Sequence, residues 1–268
     1  MPVVALNGIR LSYQVMGTGE LVVLVMGTGS PGRVWQLHQV PALVAAGYRV
    51  ATIDNRGIPP SDECADGMTL GDLVGDTAAL IEHLGDGPAR VVGTSLGSRI
   101  VQELALTRPD LISQAVMMTA YGRPECVQSM LSVGQRALHD AGIELPLSYY
   151  AAITALLNLS PRTRNDRLAV QEWLDLFEFR GSRIGAGVRA QLEVEDLPDR
   201  LAAYRRIRVP SLVIGFADDL MVPPYLAREV AEAIPGARYV EIDGCGHFGY
   251  LERPDEVNQL LLNFFGTT

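Results

Sequence analysis

The period of the hydrophobic positions changes along the chain, and each change marks a new element. Val3 to Leu6 and Ile9 to Val15 are apolar-rich runs on either side of Asn7-Gly8. That dipeptide accepts positive φ at both turn positions, so the stretch predicts a β-hairpin. Leu21 to Met26 is apolar without alternation and lies between glycines. Such a run predicts a strand buried on both faces, as in a parallel sheet. Val34 to Ala46 predicts a helix ended by Gly47, and Arg49 to Asp54 the next strand. Leu70, Leu73, Val74, Thr77, Leu80, Ile81 and Leu84 then fall on one stripe at helical spacing. Thr69 with Asp72 resembles a capping box, and Gly85 supplies the stop.

Arg90 to Thr94 predicts a strand, Ser95 to Leu106 a helix and Leu111 to Thr119 a strand. Strand and helix alternate, which places helices on both faces of a mostly parallel sheet. The alternation stops after Tyr121. Between about Pro124 and Arg206 the pattern predicts only helices: Glu125 to Ala141, Leu147 to Leu159, Asn165 to Phe179, and Val188 to Tyr204 with an interruption at Pro198. It resumes with strand Ser211 to Phe216, helix Pro224 to Ile234, strand Tyr239 to Ile242 and helix Asp255 to Phe265. The expected architecture is therefore an α/β core of eight strands, residues 1–121 and 207–268, with an all-helical lid, residues 122–206, after the sixth strand.

Composition narrows the chemistry. The 268 residues carry 22 basic and 31 acidic side chains, a formal charge of −9, which disfavours phosphate backbones and hence nucleic acid. Every basic residue is arginine. The absence of lysine excludes a lysine Schiff base and a P-loop. Cys64, Cys126 and Cys245 have no metal-ligand spacing, so neither a zinc site nor a disulfide framework is expected. The start has no basic region before an apolar core, and no early apolar run is long enough to span a membrane. The expectation is a cytoplasmic protein.

Val91-Val92-Gly93-Thr94-Ser95-Leu96-Gly97 places G-x-S-x-G at a strand-to-helix junction. Glycines two residues before and after let the chain turn tightly and lift the serine hydroxyl off the sheet. The start of the next helix then faces any developing oxyanion. Alone the pattern is weak, since glycine is common enough for a chance match in roughly one such chain in ten. The hydroxyl needs a base. Of the four histidines, His38 and His139 fall in predicted helices and His83 on a polar helix face, whereas His247 lies in a loop after a strand, Gly244-Cys245-Gly246-His247-Phe248. The acid that would orient it is offered by Asp218-Asp219, also in a loop after a strand, and the residues alone leave both open.

Ser95, the Asp218-Asp219 pair and His247 come in the order serine, acid, histidine. The chain resembles the lid-bearing α/β-hydrolases of the small esterase, lactonase and cofactor-free haloperoxidase type. The likeness includes Asp54-Asn55-Arg56-Gly57, Val222-Pro223 and Gly246-His247-Phe248. It implies Asp219 as the acid, four residues before Pro223. It also implies an oxyanion hole made by the backbone N–H groups of Leu96 and Thr28, the latter in Met26-Gly27-Thr28-Gly29. Met26 stands where the family usually has histidine, and Gly57-Ile58-Pro59-Pro60-Ser61 lacks the family's second glycine. Gly27 and Trp35 are candidates for lining the pocket.

A rival motif overlaps this loop. Gly27-Thr28-Gly29-Ser30-Pro31-Gly32 fits G-x-G-x-x-G after a strand, with Asp54 downstream, the outline of a dinucleotide site. Pro31 lacks the N–H that a pyrophosphate would need, and this reading leaves Ser95, Asp219 and His247 without a role. The expected function is hydrolysis of an ester, lactone or related acyl bond of a small molecule, without metal or organic cofactor. The alternative is the same scaffold used as a lyase, a cyclase or a small-molecule receptor, and a homodimer is allowed. Tyr149, Tyr150, Trp173, Phe177 and Phe179 are expected mainly as lid packing, and Arg162, Arg164, Arg167, Arg180 and Arg183 as solvated surface.

Overall fold

Asn7 and Gly8 take φ of +46° and +79° and join β1 (Val3–Leu6) to β2 (Ile9–Met16) as an antiparallel hairpin. The structure is a computed structural model that describes residues 2–85, 87–194 and 198–266. The remaining strands are β3 (Leu21–Val25), β4 (Arg49–Asp54), β5 (Ala89–Thr94), β6 (Ile112–Met118), β7 (Ser211–Phe216) and β8 (Arg238–Ile242). All eight form one sheet in the order β1-β2-β4-β3-β5-β6-β7-β8. The β2–β4 pairing is antiparallel and every later pairing is parallel.

The unalternating run at β3 is explained by the core. Leu21, Val23 and Val25 pack on one side of the sheet with Leu73, Ile100 and Val230. Val22, Leu24 and Met26 pack on the other with Leu43, Val257 and Leu261. Neighbouring residues of a strand face opposite sides, so only an apolar residue at every position suits a strand covered twice.

One predicted helix is corrected. Val34 to Ala46 is two pieces, a 3-10 turn over Gly32–Leu37 and α1 (Gln39–Ala45), broken at His38 (φ −142°, ψ −51°). Pro41 lacks an N–H and crowds the carbonyl four residues before it, so the helix restarts rather than running through. α2 (Leu70–Leu84) has both halves of the capping box and ends at Gly85 with φ +75°. α3 (Leu96–Thr107) follows β5.

Between β6 and β7 the described residues form helices and no strand: α4 (Cys126–Asp140), α5 (Leu147–Asn158), α6 (Pro161–Asn165), α7 (Arg167–Arg180), α8 (Ala186–Glu193) and α9 (Leu201–Tyr204). The helix α6 was not predicted; Ser160 caps it, its hydroxyl accepting from Thr163 N–H, and Pro161 starts it. The expected helix Val188 to Tyr204 is α8 and α9, and residues 195–197 between them lie outside the described residues. After β7 come α10 (Pro224–Ala233), a short α11 (Gly249–Glu252) and α12 (Pro254–Phe265). No helix among the described residues is long and apolar enough to cross a membrane.

Candidate active site

A cavity of about 1020 Å³ is lined by the loops that follow β3, β5, β7 and β8 and by residues of α4, α5, α7 and α8. The C-terminal ends of the parallel strands thus meet the helical insertion across one space, where open α/β sheets carry their ligands.

Ser95 stands on this cavity at the cap of α3, with φ +55° and ψ −121°. Few non-glycine residues adopt that backbone, and it is held here by contacts. The Ser95 N–H donates to Thr119 Oγ1 at 2.8 Å and to the Met118 carbonyl at 3.1 Å. A Cβ on Gly93 would fall 2.2 Å from the Gly97 carbonyl oxygen, and one on Gly97 would fall 2.2 Å from that of Val25. Both glycines of the motif are therefore required by close backbone approach. Leu96, with its side chain fully buried, is the first residue of α3.

His247 also lines the cavity, and its Nδ1 lies 2.8 Å from Asp219 Oδ2. The other carboxylate oxygen of Asp219 accepts from the N–H groups of Met221 and Val222, each at 2.8 Å. Asp219 is 3% exposed, and both of its carboxyl oxygens have hydrogen-bond partners. Asp218 makes a different contact, its N–H donating to the Cys245 carbonyl at 3.0 Å. Burial pushes the Cys245 thiol, which donates to the Ile242 carbonyl in the core, well above its ordinary range, so it stays protonated.

Thr28 lines the cavity, and Gly27 runs directly past the serine: a Cβ there would be 3.1 Å from Ser95 Cβ. Trp35 does not line the cavity. It is fully buried against Tyr250, with ring centroids 4.9 Å apart, because the 3-10 turn packs its apolar ring into the core cluster of Met26, Leu43 and Val257. The loop residues also leave no dinucleotide outline. Asp54 Oδ1 accepts from Gly32 N–H at 2.8 Å, and a Cβ on Gly32 would sit 2.7 Å from the Ile53 carbonyl oxygen.

The alpha/beta hydrolase family profile matches residues 22–260. The chain belongs to the alpha/beta hydrolase family. The chain is 47% identical over 259 residues to the putative non-heme bromoperoxidase BpoC of Mycobacterium tuberculosis H37Rv, covering 97% of this chain and 98% of that protein. The crystal structure of BpoC superposes with a TM-score of 0.92, covering 96% of each chain. The enol-lactonase from Burkholderia xenovorans LB400 superposes with a TM-score of 0.80 at 27% identity, covering 99% of this chain and 100% of that one.

Several residues around this cavity carried no candidate role in the sequence. Thr119 is one. Gln191, fully buried on α8, is another, and Asn55, quoted above only within Asp54-Asn55-Arg56-Gly57, donates from Nδ2 to the Met26 carbonyl at 2.9 Å. Glu252 accepts from Gly246 N–H in the histidine loop and from Ser160 N–H and hydroxyl at the end of the α5 segment. His139, Arg180 and Arg183 line the cavity rather than only the outer surface. Of the aromatic residues, Phe177 is buried with Trp173 and Phe248 around it, whereas Phe179 is 89% exposed and Tyr149 and Tyr150 line the cavity. A polar residue on an otherwise apolar helix face, as at Gln191, was the available signal.

Proposed function

We propose that this chain is a serine hydrolase that opens a carboxylic ester, lactone or related acyl bond of a small molecule. The observation that carries the reading is the 2.8 Å contact between His247 Nδ1 and Asp219 Oδ2, with His247 and Ser95 on one cavity. In this reading the Ser95 oxygen attacks the carbonyl while His247 Nε2 takes its proton. Asp219 keeps the proton on Nδ1 and stabilises the imidazolium. The N–H groups of Leu96 and Thr28 receive the oxyanion. The proton passes to the leaving oxygen, and water then cleaves the acyl-Ser95 ester with His247 as base. The lid, α4 to α9, closes the cavity over the substrate.

Intact mass after treatment with a fluorophosphonate tests this. One adduct is expected on the wild type and none on Ser95→Ala. No adduct on folded wild type refutes the reading and favours receptor, lyase or cyclase use of the scaffold.

The 47% identity to a putative bromoperoxidase favours a second reading of the same residues. If hydrogen peroxide replaces water on an acetyl-Ser95, the product is peracetic acid, which oxidises bromide and needs no metal. Bromination that requires acetate, peroxide and Ser95 together would support it.

A further inference from the structure

The oxyanion loop is held from the helical insertion. Gln191 on α8 is fully buried, and its amide is used at both ends: Oε1 accepts from Gly29 N–H at 2.9 Å and Nε2 donates to the Arg56 carbonyl at 2.8 Å. Donor and acceptor chemistry leave only this orientation of the amide. Arg180 on α7 donates to the Gly29 carbonyl at 3.3 Å. One residue of the loop is thus bound on its N–H and on its carbonyl by two different helices of the insertion.

The adjoining peptides are fixed as well. Asn55 Nδ2 donates to the Met26 carbonyl at 2.9 Å, and Ser30 N–H donates to the Gly27 carbonyl at 3.3 Å. The Thr28 N–H belongs to the peptide that carries the Gly27 carbonyl. Its plane is therefore held directly by Ser30 and flanked by planes held by Asn55 and Gln191. Helix α8 reaches these loops because two glycines meet. A Cβ on Gly187 would lie 2.3 Å from the Gly57 carbonyl oxygen, and one on Gly57 would lie 2.8 Å from that of Gly187. Gly187 and Gln191 are four residues apart and share a helix face. The close approach at Gly187 delivers Gln191 to the loop one turn later.

We infer that Gln191 is a positioning residue that aims the Thr28 N–H at the oxyanion, so that the insertion completes the catalytic centre as well as covering it. This rests on the serine-hydrolase reading above.

The test compares wild type, Gln191→Met and Arg189→Gln on p-nitrophenyl acetate, with active sites titrated and thermal melts recorded. Methionine keeps the volume of glutamine and makes neither hydrogen bond. Arg189→Gln, on the same helix as Gln191, removes surface ion pairs with Asp140 of α4 and Glu193 of α8. For Gln191→Met, kcat per active site is expected to fall about 10- to 100-fold with KM within about twofold. The rate of phosphonylation by a fluorophosphonate, whose phosphoryl oxygen uses the same donors, falls in parallel. Arg189→Gln stays at the wild-type rate. A structural role alone would lower the melting point and the titrated fraction but leave kcat per site unchanged, and that result overturns the inference. So does a loss confined to KM. Where Gln191→Met does not fold, Arg180→Met, altered at an exposed side chain, decides: a parallel fall in kcat and phosphonylation supports the clamp and wild-type values overturn it. Wild type that neither turns over nor labels refutes the serine-hydrolase reading itself, and this inference with it, whereas an active wild type with an unaffected Gln191→Met refutes the inference alone.

Discussion

Ser95 sits in an unfavourable backbone conformation because its surroundings over-determine it. Its N–H is shared between the Met118 carbonyl and Thr119 Oγ1, and Thr119 itself has φ +49°. Replacing Thr119 with valine keeps the branching and the volume and removes only the hydroxyl. Thr119→Val is expected to lower kcat by about five- to tenfold, the equivalent of one neutral hydrogen bond. Thr119→Ser should restore most of it. Steady-state kinetics with melting curves would separate this from loss of folded protein. The sequence marked Ser95 because its glycines are adjacent in the chain, but not Thr119, which reaches the elbow from the neighbouring strand.

At the scale of an element, local chemistry decided where most helices start and stop. Thr69 accepts from Asp72 N–H while the Asp72 carboxylate accepts from Thr69 N–H and hydroxyl. The Thr69 contacts hold the Asp72 carboxyl below its usual range. A carboxyl whose folded pKa is depressed contributes stability above its unfolded pKa, about 4, and loses that contribution as pH falls through the folded value. Asp72→Asn should therefore be less stable than wild type at pH 7, and the difference should shrink as pH is lowered below about 4. Thr69→Ala should cost about 1 kcal/mol by denaturant titration. The break at His38 was missed because an apolar stripe continues through it, while Pro41 acts on the backbone.

At the scale of the molecule, the proposed hydrolase reading makes the cavity between core and insertion the place where the acyl group is held. Its wall includes Leu131, Leu138, Ile143, Ile153, Leu157 and Val188. Burial of a methylene against such a wall is worth about 0.8 kcal/mol, so kcat/KM on p-nitrophenyl esters should rise up to about fourfold per CH₂ as the acyl chain lengthens. A flat series from acetate to hexanoate would show that the acyl group does not enter this space. Trp35 and Arg180 show what a chain position alone conceals. The first follows the loop after β3 in sequence yet is buried in the core, and the second lies far away in sequence yet bonds Gly29 of that loop.

What the sequence determined by itself was whatever depends on near neighbours along the chain. The hairpin follows from Asn7-Gly8, the twice-covered strand from Leu21 to Val25, the capped helix from Thr69 to Gly85 and the elbow from Gly93 to Gly97. In each, the causative residues lie within one element or one turn, so spacing carries the physics. The tertiary structure alone decided the rest. It buried Trp35, brought Thr119 to the elbow and stitched the loop after β3 to α7 and α8. Those contacts join residues tens to hundreds of positions apart. They exist because a strand crossover or the packing of two glycines closes the distance, and neither leaves a periodic trace in the chain.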